Sequence, residues 1–242
     1  MSTDASRLQT IFNRSDKSSH PLPRFLFAAL RAVDPYLQYM LIFNGYGSQI
    51  LSQIGIDTIS AGPKGTVLVA MAAGCALKQL INMAYILEIK IDYAPAIGIC
   101  FYNTLSNSLA SLSCIYYGPS NELGTIQYVG ISLFTVGILT ELISELQRKR
   151  FKDQPANKGK LYTGGLFSLA RHINYGGYAL WRTGIALTSG SYWLGVFQFI
   201  WHLGYFTKLS VPDLAGYCSK KYGDDWKKFE RDTPSILFPY IW

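Results

Sequence analysis

The chain has 242 residues, of which 49% are hydrophobic and 15% are charged, and its formal net charge is +7. An average soluble domain carries about 25% charged residues, so this composition favours a membrane protein. The positive charge does not predict binding to nucleic acid, because the basic residues gather where apolar segments meet polar ones. Membrane topology and an anionic cofactor account for that distribution better.

The cysteines predict neither a metal site nor a disulfide framework. They form no Cys-x-x-Cys pair, and three of the four lie in or beside apolar segments. We therefore expect no metal. The positions are Cys75, Cys100, Cys114 and Cys218.

The chain begins with a polar segment, residues 1–24, that has no apolar core before a cleavage site. A secretory signal peptide requires such a core, so we expect a cytosolic arm instead. Residues 25–242 then form a single membrane-embedded helical domain in this interpretation.

Apolar segments long enough to cross a bilayer follow the arm. Tyr93–Asn121, Leu123–Thr140 and Thr183–Thr207 contain no Asp, Glu, Lys or Arg, and a spanning helix needs roughly 20 residues. Two weaker candidates carry charged residues that would need a partner inside the membrane. They are Phe25–Phe43, with Arg31 and Asp34, and Gly65–Leu87, with Lys78.

These segments predict an all-α, polytopic transmembrane bundle with about five or six spans. The Ser189-Gly190-Ser191 break divides the last apolar segment into a hairpin of two helices, 166–188 and 191–209. The other expected helices are 25–43, 65–88, 94–117 and 124–150. Lys and Arg concentrate in the arm, in the 148–160 loop and in the C-terminal tail, so the positive-inside rule places both termini in the cytosol.

A charged helix end follows the apolar segment that closes at Thr140. Glu141, Glu145 and Lys149 share one helix face at i, i+4 and i+8. A solvated helix end with ordinary ion pairs, or basic residues that contact lipid phosphates, would give the same pattern. Neither alternative explains Glu141, which should lie at membrane depth and is therefore a functional candidate with an unknown partner.

A second polar group begins the next predicted helix. Arg171 offers a planar fork for phosphate, and His172 and Asn174 offer hydrogen bonds to ribose or amide groups. Gly164 and Gly165 permit close approach of the backbone to a ligand. An interfacial anchor would contain the same residue types, so the group alone leaves both interpretations open.

Together these motifs resemble the membrane steroid 5α-reductase superfamily, and most closely its branch of small multi-span proteins. The resemblance covers roughly residues 137–242, whereas residues 1–120 match only in hydropathy. It is carried by Glu141, Glu145 and Gln147, by Phe151, Pro155 and residues 157–160, by 165–168 with Arg171 and His172, and by 221–226, Phe229, Thr233, Pro234 and Pro239.

The resemblance implies a protein of the endoplasmic reticulum whose cytosol-facing pocket binds NADPH and reduces an activated C=C bond of a steroid-like or terpenoid-like lipid, for example in specialised metabolism. The cofactor positions it implies are Glu141, Glu145, Lys149, Asn157, Arg171, His172, Asn174, Tyr175 and Tyr222. Tyr175, His172 and Tyr178 are the catalytic candidates, because a donor must stabilise the oxyanion that develops on the substrate. Tyr85, Glu88 and Tyr102 are candidates for substrate contact or for plain packing.

Three departures from the family pattern keep other functions open. Ile173 replaces the usual proline, Tyr178 replaces a glutamate, and Ala215 replaces an acid of the tail. Membrane methyltransferases that act on isoprenylcysteine or phospholipid head groups share the Arg-His motif and bind S-adenosylmethionine. A repurposed isomerase or a non-catalytic scaffold is the third alternative.

Overall fold

The computed structural model describes residues 16–18, 20–58, 61–118 and 122–241, so most of the predicted arm lies outside the described residues. The described residues form helices and no strands, in agreement with the predicted all-α class. The α-helices are α1 (Pro21–Phe43), α2 (Tyr46–Ser52), α3 (Gly62–Ile81), α4 (Tyr93–Tyr116), α5 (Thr125–Asp153), α6 (Ile173–Thr188), α7 (Tyr192–Tyr205), α8 (Val211–Tyr222) and α9 (Asp224–Asp232).

The predicted break between the last two apolar helices is confirmed, but one predicted helix start is wrong. Helix α6 ends at Thr188 and α7 begins at Tyr192, with Gly190 at a positive φ of 95° between them. Residues 165–168 form a short 3-10 turn rather than the start of α6. Helix α6 begins only at Ile173, because the amides of Arg171 and His172 bond to the C-terminal tail instead.

Two helical stretches of the described residues are long and apolar enough to cross a membrane. They are Gly62–Ile86, which is α3 with a following π-helical turn, and Thr125–Asp153, which is α5. Only 17% of the most apolar stretch of α5 is buried, against 44% for the first. A long apolar helix with that exposure suits contact with lipid, so the structure supports membrane association while the larger predicted number of spans stays a prediction.

Glycines bring α5 and α6 into backbone contact. A Cβ atom on Gly137 would lie 2.5 Å from the Trp181 amide nitrogen and 2.6 Å from the Gly177 oxygen. A Cβ on Gly184 would lie 2.5 Å from the Gly130 oxygen. Small residues at an interface allow two helices to approach this closely. The contact aligns the acidic end of α5 with the start of α6, where the Arg-His motif lies.

Candidate functional site

A short turn positions the Arg-His motif against the end of α5. The Gln147 side-chain oxygen accepts a hydrogen bond of 2.9 Å from the Leu166 amide. Gly165 has a φ of 56°, and a Cβ there would lie 2.7 Å from the Gln147 carboxamide carbon. Only glycine fits this turn without strain, so two motif residues of the sequence serve to dock the loop.

Arg171 holds the C-terminal tail, which here means the segment that follows α9, residues 233–241. Its guanidinium donates to the backbone oxygens of Thr233 at 2.6 Å and Glu230 at 3.1 Å. The Arg171 amide donates to the Ser235 oxygen at 3.0 Å, and the His172 amide donates to the Ile236 oxygen at 2.8 Å. These interactions make Arg171 a clamp that fixes the tail beside the motif, and its predicted contact with a phosphate stays a prediction.

His172 is the buried centre of the motif. Its ring stacks parallel to the Tyr175 ring, with centroids 5.6 Å apart, and lies 6.3 Å from the Trp226 ring. Burial, helped by the nearby Arg171 and Arg148 charges, lowers the pKa of His172 to about 4, so the imidazole is neutral near neutral pH. Its Nε2 atom is buried and has no hydrogen-bond partner among the described residues. Buried polar atoms are normally satisfied, so this nitrogen is a group that a ligand can bind.

The structure brings together Glu145 and Asn174, two of the predicted cofactor residues. The Asn174 side-chain nitrogen donates to one carboxylate oxygen of Glu145 at 2.7 Å, and Arg148 bonds to the other oxygen. Glu145 is 6% exposed. The pair therefore joins α5 to the first turn of α6 beside the motif.

Glu141 has the partner that its depth requires. Its carboxylate pairs with Lys78 of α3 and accepts a 2.6 Å hydrogen bond from the Trp181 indole nitrogen. Lys78 is itself 6% exposed, and it is the charge that interrupts the apolar segment of α3. Two charges that are costly alone thus neutralise each other between helices.

Lys149 joins the end of α5 to the segment after α3. Its ammonium lies 3.1 Å from the Glu88 carboxylate, pairs with Asp153 and lies 5.2 Å from the centre of the Tyr85 ring. Glu88 also binds Lys17 at 2.8 Å, and hydrogen bonds from Lys17 and Lys149 lower the pKa of this carboxylate. Two of the predicted substrate-contact residues, Tyr85 and Glu88, thus lie beside a predicted cofactor residue.

Asn157 and Tyr222 have local partners. The Asn157 amide donates to the Phe151 backbone oxygen at 3.1 Å, which caps the end of α5. The Tyr222 hydroxyl accepts a 3.1 Å hydrogen bond from Lys152. Tyr222 also packs on the apolar cluster that contains Phe167 and Trp226, so it lies on the same side of the molecule as the motif.

An aromatic column links the motif to the helical core. Tyr175 stacks on Phe206 with centroids 4.7 Å apart, and Phe206 meets the edge of Tyr178 at 5.6 Å. Tyr178 lies 5.1 Å from His202, whose Nε2 atom is 2.8 Å from the Tyr102 hydroxyl. The third predicted substrate-contact residue, Tyr102, is therefore at the far end of this column.

The sequence interpretation missed Arg182, His202 and Phe206. Arg182 and His202 are 1% and 2% exposed, and both contact Tyr178 or Tyr102. A signal was present in the sequence: Arg182 adjoins a charge-free segment, and an ionisable residue at such a position is a functional candidate by default. Among the residues that the structure describes, no group of three or more His, Cys, Asp or Glu is placed to hold a metal ion.

Comparison with known proteins gives one family match and two informative relatives. The family described as "Protein of unknown function (DUF1295)" matches residues 101–233. The "Probable O-methyltransferase ustE" of Ustilaginoidea virens is 34% identical over 95% of this chain and 88% of its own length. The "7-dehydrocholesterol reductase" of Danio rerio is 31% identical over 37% of this chain and 19% of its own length.

The predicted resemblance to the steroid 5α-reductase superfamily is confirmed in part by the family match and by the second relative, which is named as a sterol reductase. That similarity spans 90 residues, whereas the similarity to the protein named as a methyltransferase extends over 256 aligned positions. Both relatives carry the names of enzymes, which supports an enzymatic function for this chain. The two names correspond to two of the three alternatives that the sequence motifs left open.

Proposed function

This chain belongs to the DUF1295 family, and we propose that it is a membrane enzyme that transfers a methyl group from S-adenosylmethionine to an oxygen atom of a lipophilic acceptor. The extent of the similarity supports this choice. The relative named as an O-methyltransferase matches 95% of the chain, which includes the helices before residue 101. The sterol reductase matches 37%.

The observation that carries the proposal is that the basic side chains around His172 already bind acceptors within the protein. NADPH presents phosphate groups that need cationic side chains, whereas S-adenosylmethionine presents a cationic sulfur that aromatic faces and carboxylates stabilise. Two basic side chains on this side of the molecule are paired with carboxylates, Arg148 with Glu145 and Lys149 with Glu88 and Asp153. Lys152 and Arg171 donate to neutral oxygens of Tyr222 and of the tail backbone, so their hydrogen bonds are occupied although their charges are not compensated.

The residues present fit the methyl donor. The unpartnered Nε2 atom of the neutral His172 can hydrogen-bond to it, and the stacked rings of His172 and Tyr175 offer an aromatic face. Glu145 also lies beside the motif, where Asn174 and Arg148 each bind one of its carboxylate oxygens. When bound, S-adenosylmethionine supplies an electrophilic methyl group.

The tail has its own part in this proposal. Its backbone pairs with Arg171 and His172, and Leu237 within it is 0% exposed. It would therefore exclude water from the His172 ring. With a pKa of about 4, His172 would orient a ligand by hydrogen bonding and would not hold the acceptor's proton. The acceptor hydroxyl would give that proton to water, its oxygen would take the methyl group, and S-adenosylhomocysteine would leave.

NADPH-dependent reduction of a C=C bond is the second candidate. The motif pattern and the 90-residue similarity to a sterol reductase favour it. In that reaction Tyr175, His172 or Tyr178 would donate a hydrogen bond to the oxyanion that develops on the substrate. Both candidates include the predicted location, a multi-pass protein with cytosolic termini, as the basic residues predict, in the endoplasmic reticulum, as the resemblance implies.

Parallel ligand binding tests the proposal. The full-length protein, purified in detergent, is titrated with S-adenosylmethionine, NADPH and NADH by calorimetry, beside His172→Ala and Lys158→Ala. We expect binding of S-adenosylmethionine that His172→Ala weakens and that Lys158→Ala, a change at an exposed loop residue, leaves intact. Selective binding of NADPH would replace the proposal with the reductase, and binding of neither ligand would contradict both enzyme assignments.

A further inference from the structure

Arg182 is a buried cation without a carboxylate partner in the part of the chain that the structure describes. It is 1% exposed, and its three hydrogen-bond acceptors are neutral: the side-chain oxygens of Asn107 at 2.9 Å and of Asn103, and the Tyr178 hydroxyl at 3.3 Å. An unpaired charge in a protein interior is costly, and inside a membrane it marks a functional site by default.

The neighbouring buried charges do not compensate Arg182. Asp34 is bound directly by Arg31 at 3.1 Å and reaches Arg182 only through the Asn107 amide, which donates to Asp34 at 2.7 Å. Glu141 pairs with Lys78. Each of these carboxylates thus has its own cation, so the group of five charges carries one excess positive charge.

An unsatisfied acceptor lies beside this cation. The Asn103 amide donates to the Ile99 backbone oxygen at 2.7 Å, which turns its side-chain oxygen toward Arg182. The same oxygen accepts a 2.6 Å bond from the Gln79 side-chain nitrogen, so the orientation of Gln79 is fixed as well. The remaining Gln79 oxygen is buried and has no partner among the described residues. The site therefore combines a cationic donor with an unused acceptor.

Aromatic rings surround the cation and lead to the motif. The Arg182 guanidinium lies 4.4 Å from the Trp181 ring centre, 5.6 Å from that of Tyr178 and 5.7 Å from that of Tyr102. Trp181 is fully buried, whereas Tyr102 and Tyr178 are only partly buried. Tyr178 continues through Phe206 and Tyr175 to His172, so this cage and the proposed donor site lie on one aromatic column.

We infer that the cage around Arg182 binds the acceptor, and that the acceptor is a flat lipophilic molecule with an acidic hydroxyl group of the phenol or enol class. Such a hydroxyl can donate to the Gln79 oxygen while neutral. Once ionised, it supplies the anion that Arg182 lacks. The role as acceptor site rests on the proposed methyl transfer, whereas the binding of an acidic hydroxyl rests on Arg182 and Gln79 alone.

The test uses 4-nitrophenol and its methyl ether, 4-nitroanisole, without any methyl donor. The absorption spectrum of 4-nitrophenol distinguishes the phenol from the phenolate, so it reports ionisation of the bound molecule directly. We expect wild-type protein to raise the phenolate fraction and to bind the phenolate about tenfold more tightly than the ether, since a hydrogen bond to a charged group contributes at least that factor. Arg182→Met should abolish this preference, and Lys158→Met, which removes an exposed cation, should retain it.

A measurement on the wild-type protein covers the case in which Arg182→Met does not fold. Affinity for 4-nitrophenol should rise with pH as the phenol ionises, whereas affinity for 4-nitroanisole should stay constant. Equal affinity for the two molecules, or a preference that survives in folded Arg182→Met, would overturn the inference. If the protein binds the phenolate but does not bind S-adenosylmethionine, the proposed methyl transfer is contradicted and the anion site at Arg182 is not.

Discussion

At the scale of single residues, His172 combines complete burial, a neutral ring and an unpartnered nitrogen. Its residue type was visible in the sequence, but its burial depends on Trp226 and on the tail, which lie more than fifty positions away along the chain. The same applies to Glu141, whose depth was predicted from the apolar segment before it. Its partner Lys78 is 63 positions distant and could not be assigned from spacing.

The buried His172 makes stability depend on pH. Its pKa is about 4 in the folded protein and 6.5 when unperturbed, so between these values the unfolded chain binds more protons. The stabilisation is complete above pH 6.5 and is lost as the pH falls toward 4, by about 3 kcal/mol. We expect the unfolding temperature of wild type to fall more steeply over this range than that of His172→Asn, and parallel curves would contradict the assignment.

The Lys78–Glu141 pair should behave as one unit. Glu141→Ala leaves the Lys78 ammonium and the Trp181 indole nitrogen without their acceptor, and breaking a buried pair costs about 3–5 kcal/mol. The double variant Lys78→Met with Glu141→Leu should recover most of that loss, because no buried charge is then uncompensated. Chemical unfolding of the single and double variants measures this recovery. A double variant as unstable as Glu141→Ala would show that Glu141 does not stabilise the protein by compensating the charge of Lys78.

At the scale of helices, long apolar segments predicted some helices well, whereas helices in polar or glycine-rich segments were missed. Helices α4 and α5 begin and end within three residues of their predicted bounds, because each contains a long charge-free segment. Helix α3 ends at Ile81, seven residues before its predicted end, and the π-helical turn that follows it extends the helical stretch to Ile86. Helix α2 lies in a connection that contains glycine and serine and gave no helical signal. Apart from Val211, helices α8 and α9 lie in the C-terminal region, residues 212–242, for which the sequence predicted only a short cytosolic segment. The 3-10 turn before α6 was missed because a glycine at positive φ and the Gln147 side chain determine it.

The glycine contact between α5 and α6 gives a prediction at this scale. Gly137→Ala places a Cβ 2.5 Å from the Trp181 nitrogen, so the helices must separate, at a cost of about 1–3 kcal/mol. Gly98→Ala is the matched control, since a Cβ there meets nothing within 4 Å, and it should stabilise α4 by about 0.5–1 kcal/mol. Thermal unfolding of both variants measures the difference. Equal effects at the two glycines would mean that α5 and α6 do not approach as closely as the structure indicates.

For the molecule as a whole, the most important contact joins the C-terminal tail to the start of α6. The tail returns from α9 to the start of α6, where Arg171 binds its backbone oxygens and Leu237 packs its carbonyl against Gly176. Phe238 continues this contact by stacking on Phe199 of α7. The tail thus joins the motif loop to the last apolar hairpin, and any ligand at His172 depends on its position.

Leu237→Ala tests this closure, with Ile241→Ala as its control. Leu237 is 0% exposed and Ile241 is 81% exposed, so only the first change removes buried contacts, at a cost of about 2–5 kcal/mol. Because the Arg171 and His172 amides donate to tail oxygens, loosening the tail should speed hydrogen exchange at these two amides and weaken ligand binding together. A ligand that contacts His172 should bind more weakly when the segment that covers it is loosened. Faster exchange with unchanged affinity would therefore mean that the tail stabilises the fold without shaping the site.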